Sequence, residues 1–322
     1  MMPPVPLIVF DLDGTLVDTA PDLVATLNAI FVREGLHAMP FDVVRAMIGR
    51  GARPMIERGL TAQGQLFDSE DVDRLYAAYV EHYAAHIADQ SRPFPGVDAA
   101  LDALTERGYR FAVCTNKLEW LSLRLLDALG LSARFDAVCG QDTFGVQKPD
   151  PEVLYKTIAK ARGSADRAIM VGDSATDIAT ARAADVPVIA VDFGYTEIPV
   201  ATLNPDRVIS HFDHLPIAVA HYIHTRDAHR FPSGWMSHEW ASVCAAVRDK
   251  GHHAVCFRDH QINGQRGVWK GARKTGDQLL SRLAPHHRPR RRRVVDHIWR
   301  EKWIQQPTVS SSKDLANCRV QA

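Results

Sequence analysis

Five cysteines in 322 residues, at positions 114, 139, 244, 256 and 318, are odd in number and widely scattered. They give no disulfide framework. No apolar run approaches the length that spans a bilayer. The N-terminus has no basic segment leading into an apolar stretch with a small-residue cleavage site. The expectation is a cytoplasmic protein that takes no membrane as a partner. An excess of one charge is also missing from the totals, with 38 Lys+Arg against 38 Asp+Glu. That balance is a cancellation. Residues 222–322 hold 19 Lys+Arg against 8 Asp+Glu, and residues 1–221 hold 19 against 30. An acidic soluble unit therefore precedes a basic segment of another character. The length allows a large core and two domains.

One stretch organises the acidic unit: Leu7-Ile8-Val9-Phe10-Asp11-Leu12-Asp13-Gly14-Thr15. Four apolar residues run into a carboxylate, which reads as a buried parallel strand delivering Asp11 at its carboxyl end. Ligands of open α/β sheets bind at such ends. Asp13 follows two residues later, and Gly14 lets the backbone turn sharply. Two carboxylates this close repel, and one would stay protonated. A bound divalent cation removes the conflict. An ordinary acidic turn is the alternative for these two residues taken alone.

Residues 18–90 read as helices. Thr19 or Asp18 caps a helix with Pro21 in its first turn that runs to about Arg33, where Gly35 ends it. Shorter helices are expected over 42–48 and 52–58, separated by Gly49-Arg50-Gly51. The longest runs over 69–87, with Val72, Leu75, Tyr76, Tyr79, Val80, Tyr83 and Ile87 on one face, a stripe that reads as packing. From Phe94-Pro95-Gly96 onward helix and strand alternate. Strand 109–114 ends in Thr115-Asn116-Lys117, a loop carries Lys148-Pro149, and strand 168–171 runs into Gly172-Asp173-Ser174-Ala175-Thr176-Asp177. Strands at 187–191 and 207–209 complete the unit. Such alternation means a parallel sheet wrapped by helices, with Asp11, Thr115 and Asp173 converging on one sheet edge.

Four features now stand in order: Asp11-x-Asp13-Gly14-Thr15, Thr115-Asn116, Lys148-Pro149 and Gly172-Asp173-x-x-x-Asp177. In order and strand context they resemble the haloacid dehalogenase superfamily of aspartate-nucleophile phosphatases. The resemblance covers about residues 5–222. Three segments (Phe10–Thr19, Thr115-Asn116-Lys117, and Val171–Ile178 with Ala181-Arg182-Ala183-Ala184) resemble bacterial phosphoglycolate phosphatases more narrowly. One departure is Asp185, where those relatives usually carry glycine. The resemblance implies an α/β fold with a Rossmann-like parallel sheet core formed by residues 1–17 and 91–222. It also implies an inserted all-helical cap at 18–90, and the expected C-terminal tail, 223–322, is poorly structured.

The same resemblance assigns chemistry. Asp11 is expected to be the nucleophile that forms an aspartyl-phosphate, splitting a very slow hydrolysis into two easier halves. Asp13 then protonates the leaving oxygen and activates water. Thr115, the Asn116 backbone N–H and Lys148 are expected on the phosphoryl oxygens. Mg²⁺ suits an oxygen donor set, here the Asp11 carboxylate, the Asp13 carbonyl and Asp173. Asp177 lies one helical turn beyond Asp173 and positions Lys148 or a metal-bound water. Arg50, matched to a carboxylate in bidentate fashion, and Lys117 are the candidates for substrate choice.

The expected activity is Mg²⁺-dependent hydrolysis of 2-phosphoglycolate. Alternatives are a sugar phosphate, a nucleotide, pyrophosphate, or a phosphoglucomutase that keeps the phosphoryl group for transfer. The partner is a small phosphate ester, and the assembly a monomer or homodimer. The last hundred residues fit none of this. Ten of fifteen histidines and five of six tryptophans lie after residue 220, and Arg290–Arg293 form a basic run. Nucleic-acid binding by this segment is one reading. A metal site from Cys244, His252, His253, Cys256 and His260 is another, but its spacing follows no metal-binding pattern. The favoured expectation is a tail not native to the family, translated from outside the original gene, so that nucleic acid is not a partner.

Overall fold

The structure is a computed structural model that describes residues 5–196, 198–220 and 222. The expectations for the basic segment 223–322, including its candidate metal ligands, lie outside the described residues. Strand β1 (Leu7–Phe10) is fully buried. It is flanked by β4 (Arg110–Cys114) and β6 (Ala168–Gly172), with Phe10 beside Val113 on one side and Val171 on the other. β5 (Ala137–Cys139), β7 (Val188–Val191) and β8 (Arg207–Ile209) extend the sheet in the order β5-β4-β1-β6-β7-β8, every pairing parallel.

Burial on both faces explains why these strands read as continuous apolar runs. Successive side chains take opposite faces. Ile8 and Phe10 join one core with Leu101 and Leu104 of α5 (Val97–Thr105) and Leu125 of α6 (Glu119–Ala128). Leu7 and Val9 join the other with Val153, Leu154 and Ile158 of α7 (Pro151–Lys160) and Ile178 and Ala181 of α8 (Ala175–Ala183). The register brings the residues that follow β1, β4 and β6 to one edge.

Between β1 and β4 lie α1 (Ala20–Arg33), α2 (Phe41–Arg45), α3 (Ala52–Ala62) and α4 (Ser69–Ala85). α2 is shorter than the periodicity predicts, because residues 46–49 continue only as turns. α3 runs one turn further than expected. Two-residue strands β2 (Val17–Asp18) and β3 (Arg92–Pro93) pair antiparallel at the base of the insertion, a ribbon that the all-helical expectation lacks. Thr19 occupies the N-cap position of α1 without a side-chain cap bond. The phenol oxygen of Tyr195 accepts from the Thr19 and Ala20 N–H groups instead, at 2.7 and 2.9 Å. Those are the donors that a helix start leaves unpaired.

After α8, Asp185 has φ of 50°, a left-handed conformation that favours glycine. Its departure from the family pattern is therefore a backbone matter away from the sheet edge. Among the described residues, no helix is long and apolar enough to cross a membrane.

Candidate active site

Asp11 leaves β1 with its N–H on the Val171 carbonyl at 2.9 Å, so the strand geometry continues one residue beyond the sheet and fixes the carboxylate. Gly14 follows with φ of 84°. A Cβ there would stand 2.6 Å from Asp173 Oδ2 and 2.8 Å from the Tyr195 ring, so only glycine lets this turn approach the second carboxylate. Thr15 Oγ1 donates to Asp173 Oδ1 at 2.9 Å, and the Tyr195 N–H donates to Asp173 Oδ2 at 2.8 Å.

Asp177 sits in the first turn of α8. Its Oδ2 accepts from the N–H groups of Asp173 and Ser174 and from Ser174 Oγ, closing a capping box. Its Oδ1 accepts from Lys148 Nζ at 2.6 Å. The same ammonium lies 2.8 Å from Asp11 Oδ1. Lysine is almost never fully buried unless paired. Lys148 is buried, with a carboxylate on each side.

Oxygen atoms of Asp11, Asp173 and Asp177 lie within 4.8 Å of one another. Burial pushes the Asp11 carboxyl up to about 7, with Asp177 and Asp13 adding to the rise and Lys148 opposing it. Burial likewise pushes Asp173 up to about 8, with Asp177 and Asp11 adding. Burial alone would lower Lys148, but Asp11 and Asp177 outweigh it and hold its pKa well above the ordinary value. So much negative charge in so little solvent fits a hard divalent cation with oxygen ligands. Asp177 is engaged by Lys148 and by the capping box, and Asp11 Oδ1 is ion-paired with the same lysine. Among the described residues, these three carboxylates are the group that could hold such a cation.

The other expected residues gather at the same edge. Thr115 is buried at the end of β4, its N–H on the Cys139 carbonyl at 3.0 Å. Asn116 Nδ2 donates to the carbonyls of Lys148 and Gly49, and Asn116 Oδ1 accepts the Lys148 N–H. Lys117 is buried, and its Nζ donates to Asp13 Oδ1 and Oδ2 at 2.8 and 2.9 Å. Thr19 Oγ1 donates to Asp13 Oδ1 at 2.8 Å.

A cavity of about 50 Å³ opens above these groups, between the sheet edge and helices α1, α3 and α4. Asp11, Asp13, Thr115, Asn116 and Lys117 form its polar end. Leu23, Met55, Tyr76, Tyr79, Val80 and Tyr83 form much of the rest. Gly51 comes against the sheet edge with φ of 91°, where a Cβ would meet the Asn116 carbonyl at 3.1 Å. The structure places Arg50 apart from the other expected residues. Gly49 and Gly51 line the cavity, whereas Arg50 between them is exposed and is not part of the lining. The glycines put backbone against the core and leave the intervening side chain on the solvent side. Arg53 is half-buried, ion-paired with Asp73 and stacked over the Tyr76 ring.

Periodicity missed the tyrosines of α4. They pack, as the helical spacing predicts, with the rings of Tyr79 and Tyr83 stacked at 6.1 Å. They also face the cavity. Tyr79 Oη donates to the Leu23 carbonyl at 3.4 Å, whereas Tyr83 Oη is buried with no hydrogen-bond partner among the described residues. The available signal was the choice of tyrosine where phenylalanine would pack as well.

The sequence matches the family described as haloacid dehalogenase-like hydrolase over residues 8–191. A phosphoglycolate phosphatase of Mesorhizobium japonicum is 51% identical over 215 residues, which is 67% of this chain and 95% of that protein. One from Caulobacter vibrioides is 50% identical over 211 residues, covering 66% of this chain and 89% of that protein. Among solved structures, a predicted phosphoglycolate phosphatase from Haemophilus somnus superposes with a TM-score of 0.63 at 28% identity, over 68% of this chain and 99% of that one.

Proposed function

The chain belongs to the haloacid dehalogenase-like hydrolase family, and from that premise we propose that it hydrolyses 2-phosphoglycolate to glycolate and phosphate with Mg²⁺. In this reading residues 1–17 and 91–222 form the catalytic core and residues 18–90 the cap. Near-full-length similarity to phosphoglycolate phosphatases carries the choice of substrate. The cavity beside Asp11 and Asp13 is lined on its far side largely by apolar side chains of residues 18–90, which supports a small ester.

Asp11 attacks phosphorus, the bond to the ester oxygen breaks, and glycolate leaves with a proton from Asp13. Asp13, now a carboxylate, takes a proton from water as that water attacks the aspartyl-phosphate, which releases phosphate and restores Asp11. Lys148, Thr115 and the Asn116 N–H hold the phosphoryl oxygens through both halves. Asp177 keeps Lys148 charged and in place, 2.6 Å away. Asp11, the Asp13 carbonyl and Asp173 would hold Mg²⁺, which when bound offsets charge on the phosphoryl oxygens.

The deciding experiment is phosphate release from a panel of 2-phosphoglycolate, glucose 6-phosphate, a nucleoside monophosphate and pyrophosphate, with Mg²⁺ and with EDTA. The expected result is a kcat/KM for phosphoglycolate well above the others and loss of activity in EDTA. Preference for any other ester overturns the substrate assignment.

A further inference from the structure

Tyr83 presents an anomaly that the mechanism leaves unused. It is 1% exposed, it lines the cavity, and its hydroxyl has no hydrogen-bond partner among the described residues. A buried hydroxyl without a partner is destabilising, and phenylalanine would fill the same space without that cost. Its stacked neighbour Tyr79 shows the ordinary solution, a bond to a backbone carbonyl. Tyr83 thus stands at the cavity wall with a donor that no described residue accepts.

The same space holds a fixed positive charge. Lys117 Nζ lies 4.6 Å from the centre of the Tyr83 ring, and both oxygens of Asp13 hold it from the other side. Lys117 is 8% exposed, so its charge acts at reduced screening.

We infer that Tyr83 Oη and Lys117 Nζ together form the subsite for the carboxylate of a short phosphate ester. This rests on the phosphoglycolate reading above. In such an ester the carboxyl carbon lies two bonds from the ester oxygen. The ester oxygen must face Asp13 to be protonated. Lys117 contacts Asp13 directly and Tyr83 packs on Lys117, so an anionic group two bonds beyond the ester oxygen meets an ammonium and a phenol. The carboxylate completes the Tyr83 hydrogen bond and offsets the Lys117 charge. An ester lacking the carboxylate leaves both groups without that partner, which makes the subsite selective. Arg50, exposed outside the lining, takes no part in it.

The test compares kcat/KM for 2-phosphoglycolate and for ethyl phosphate, which has the same leaving oxygen and no carboxylate. The enzymes are the full-length wild type, Tyr83→Phe and Lys117→Met. Tyr83→Phe is expected to lose about tenfold on phosphoglycolate, mainly through KM, and less than about twofold on ethyl phosphate. Its melting temperature should hold or rise, because an unpaired buried hydroxyl has been removed. Lys117→Met also deprives Asp13 of a partner, so both esters should suffer, and the ratio between them should fall toward one. An unchanged ratio in Tyr83→Phe and Lys117→Met overturns the inference, as does a Tyr83→Phe loss equal on both esters.

A wild type with no preference for phosphoglycolate overturns the parent reading separately. Inhibition of ethyl phosphate turnover by glycolate then decides the subsite. Glycolate inhibition that weakens in Tyr83→Phe supports it, and inhibition that is absent or unchanged overturns it.

Discussion

The side-chain amide of Asn116 grips the backbone of Lys148 at both polar groups, accepting from its N–H at 3.0 Å and donating to its carbonyl at 3.1 Å. The two residues are 32 positions apart. Lys148 is thus fixed from both ends, by Asn116 at the backbone and by Asp177 at the ammonium. The third Asn116 contact, to the Gly49 carbonyl at 3.3 Å, ties the same side chain to the loop before α3.

Asn116→Ala should therefore act through Lys148. The fold should survive, since the strands that frame the site remain. kcat on phosphoglycolate should fall by up to about 10²-fold, as a displaced catalytic group costs. KM should rise less, because the Asn116 N–H is retained. Steady-state kinetics check the split, and an unchanged kcat would mean that Lys148 is held well enough without the amide.

Asp11→Asn should abolish turnover, because the amide keeps the shape and loses the proposed nucleophile. Stability should move the other way in Mg²⁺-free buffer. Asp11 must ionise in a buried site where burial raises its pKa to about 7, so above that pH the folded state bears the cost of a desolvated charge. Removing it should stabilise the metal-free protein by up to a few kcal/mol near pH 8, read as a higher melting temperature. A variant that melts lower than wild type at pH 8 would contradict this.

Magnesium binding should be proton-linked. Asp11 and Asp173, raised to about 7 and about 8 from an ordinary 3.8, keep protons in the folded protein that the unfolded chain has lost. Their protonated forms favour folding below pH 4, and this contribution declines as pH rises toward 8. The metal-free protein should thus melt progressively lower between pH 5 and pH 8, windows set by those two groups. A cation must displace the same protons, so its apparent affinity should rise over that range and level off above it. Calorimetric titration in two buffers of different ionisation enthalpy measures the protons released. Asp173→Asn should weaken binding and remove part of the pH dependence, with excess Mg²⁺ partly restoring the rate. An affinity independent of pH would sink this account.

The sheet edge was legible because its signal is local. Apolar runs ending in Asp11, Thr115 and Asp173 need only strand period and the strand-end rule to be placed together. What escaped lies between distant segments. Nothing near Asn116 indicates that its side chain meets Lys148 rather than substrate. The ribbon Val17–Asp18 with Arg92–Pro93 is two residues long and contains a proline, so it has no period to read. Helical spacing identified the inward face of α4 but could not distinguish Tyr79, whose hydroxyl finds Leu23, from Tyr83, whose hydroxyl finds no partner among the described residues. The position of Arg50 was illegible for the opposite reason. Charge and flanking glycines suggested contact, but the glycines bring backbone to the core and leave the side chain outside.

A chain ending at Ile223 should keep the kcat and KM of the full protein. Every proposed catalytic, phosphate-binding and metal residue lies at or before Asp177. The sheet closes at β8, whose partner β7 is paired through Ile189, Ala190 and Val191. The helix over 215–220 then seals this end, with Leu215, Ala218 and Val219 buried and included in the shortened chain. The Mesorhizobium japonicum phosphatase is matched over 95% of its length by 215 residues of this chain, so a protein of that size contains what the relative contains. The removed segment carries 19 of the 38 Lys+Arg, and its loss turns a balanced protein acidic. Any non-specific retention on nucleic acid by the full chain should go with it and should fall with salt. Activity, melting temperature and retention on DNA–cellulose at two salt concentrations are the measurements. A shortened chain that aggregates or loses most of its kcat/KM would show that residues 224–322 complete the folded unit, and the view of them as foreign to the family would be abandoned.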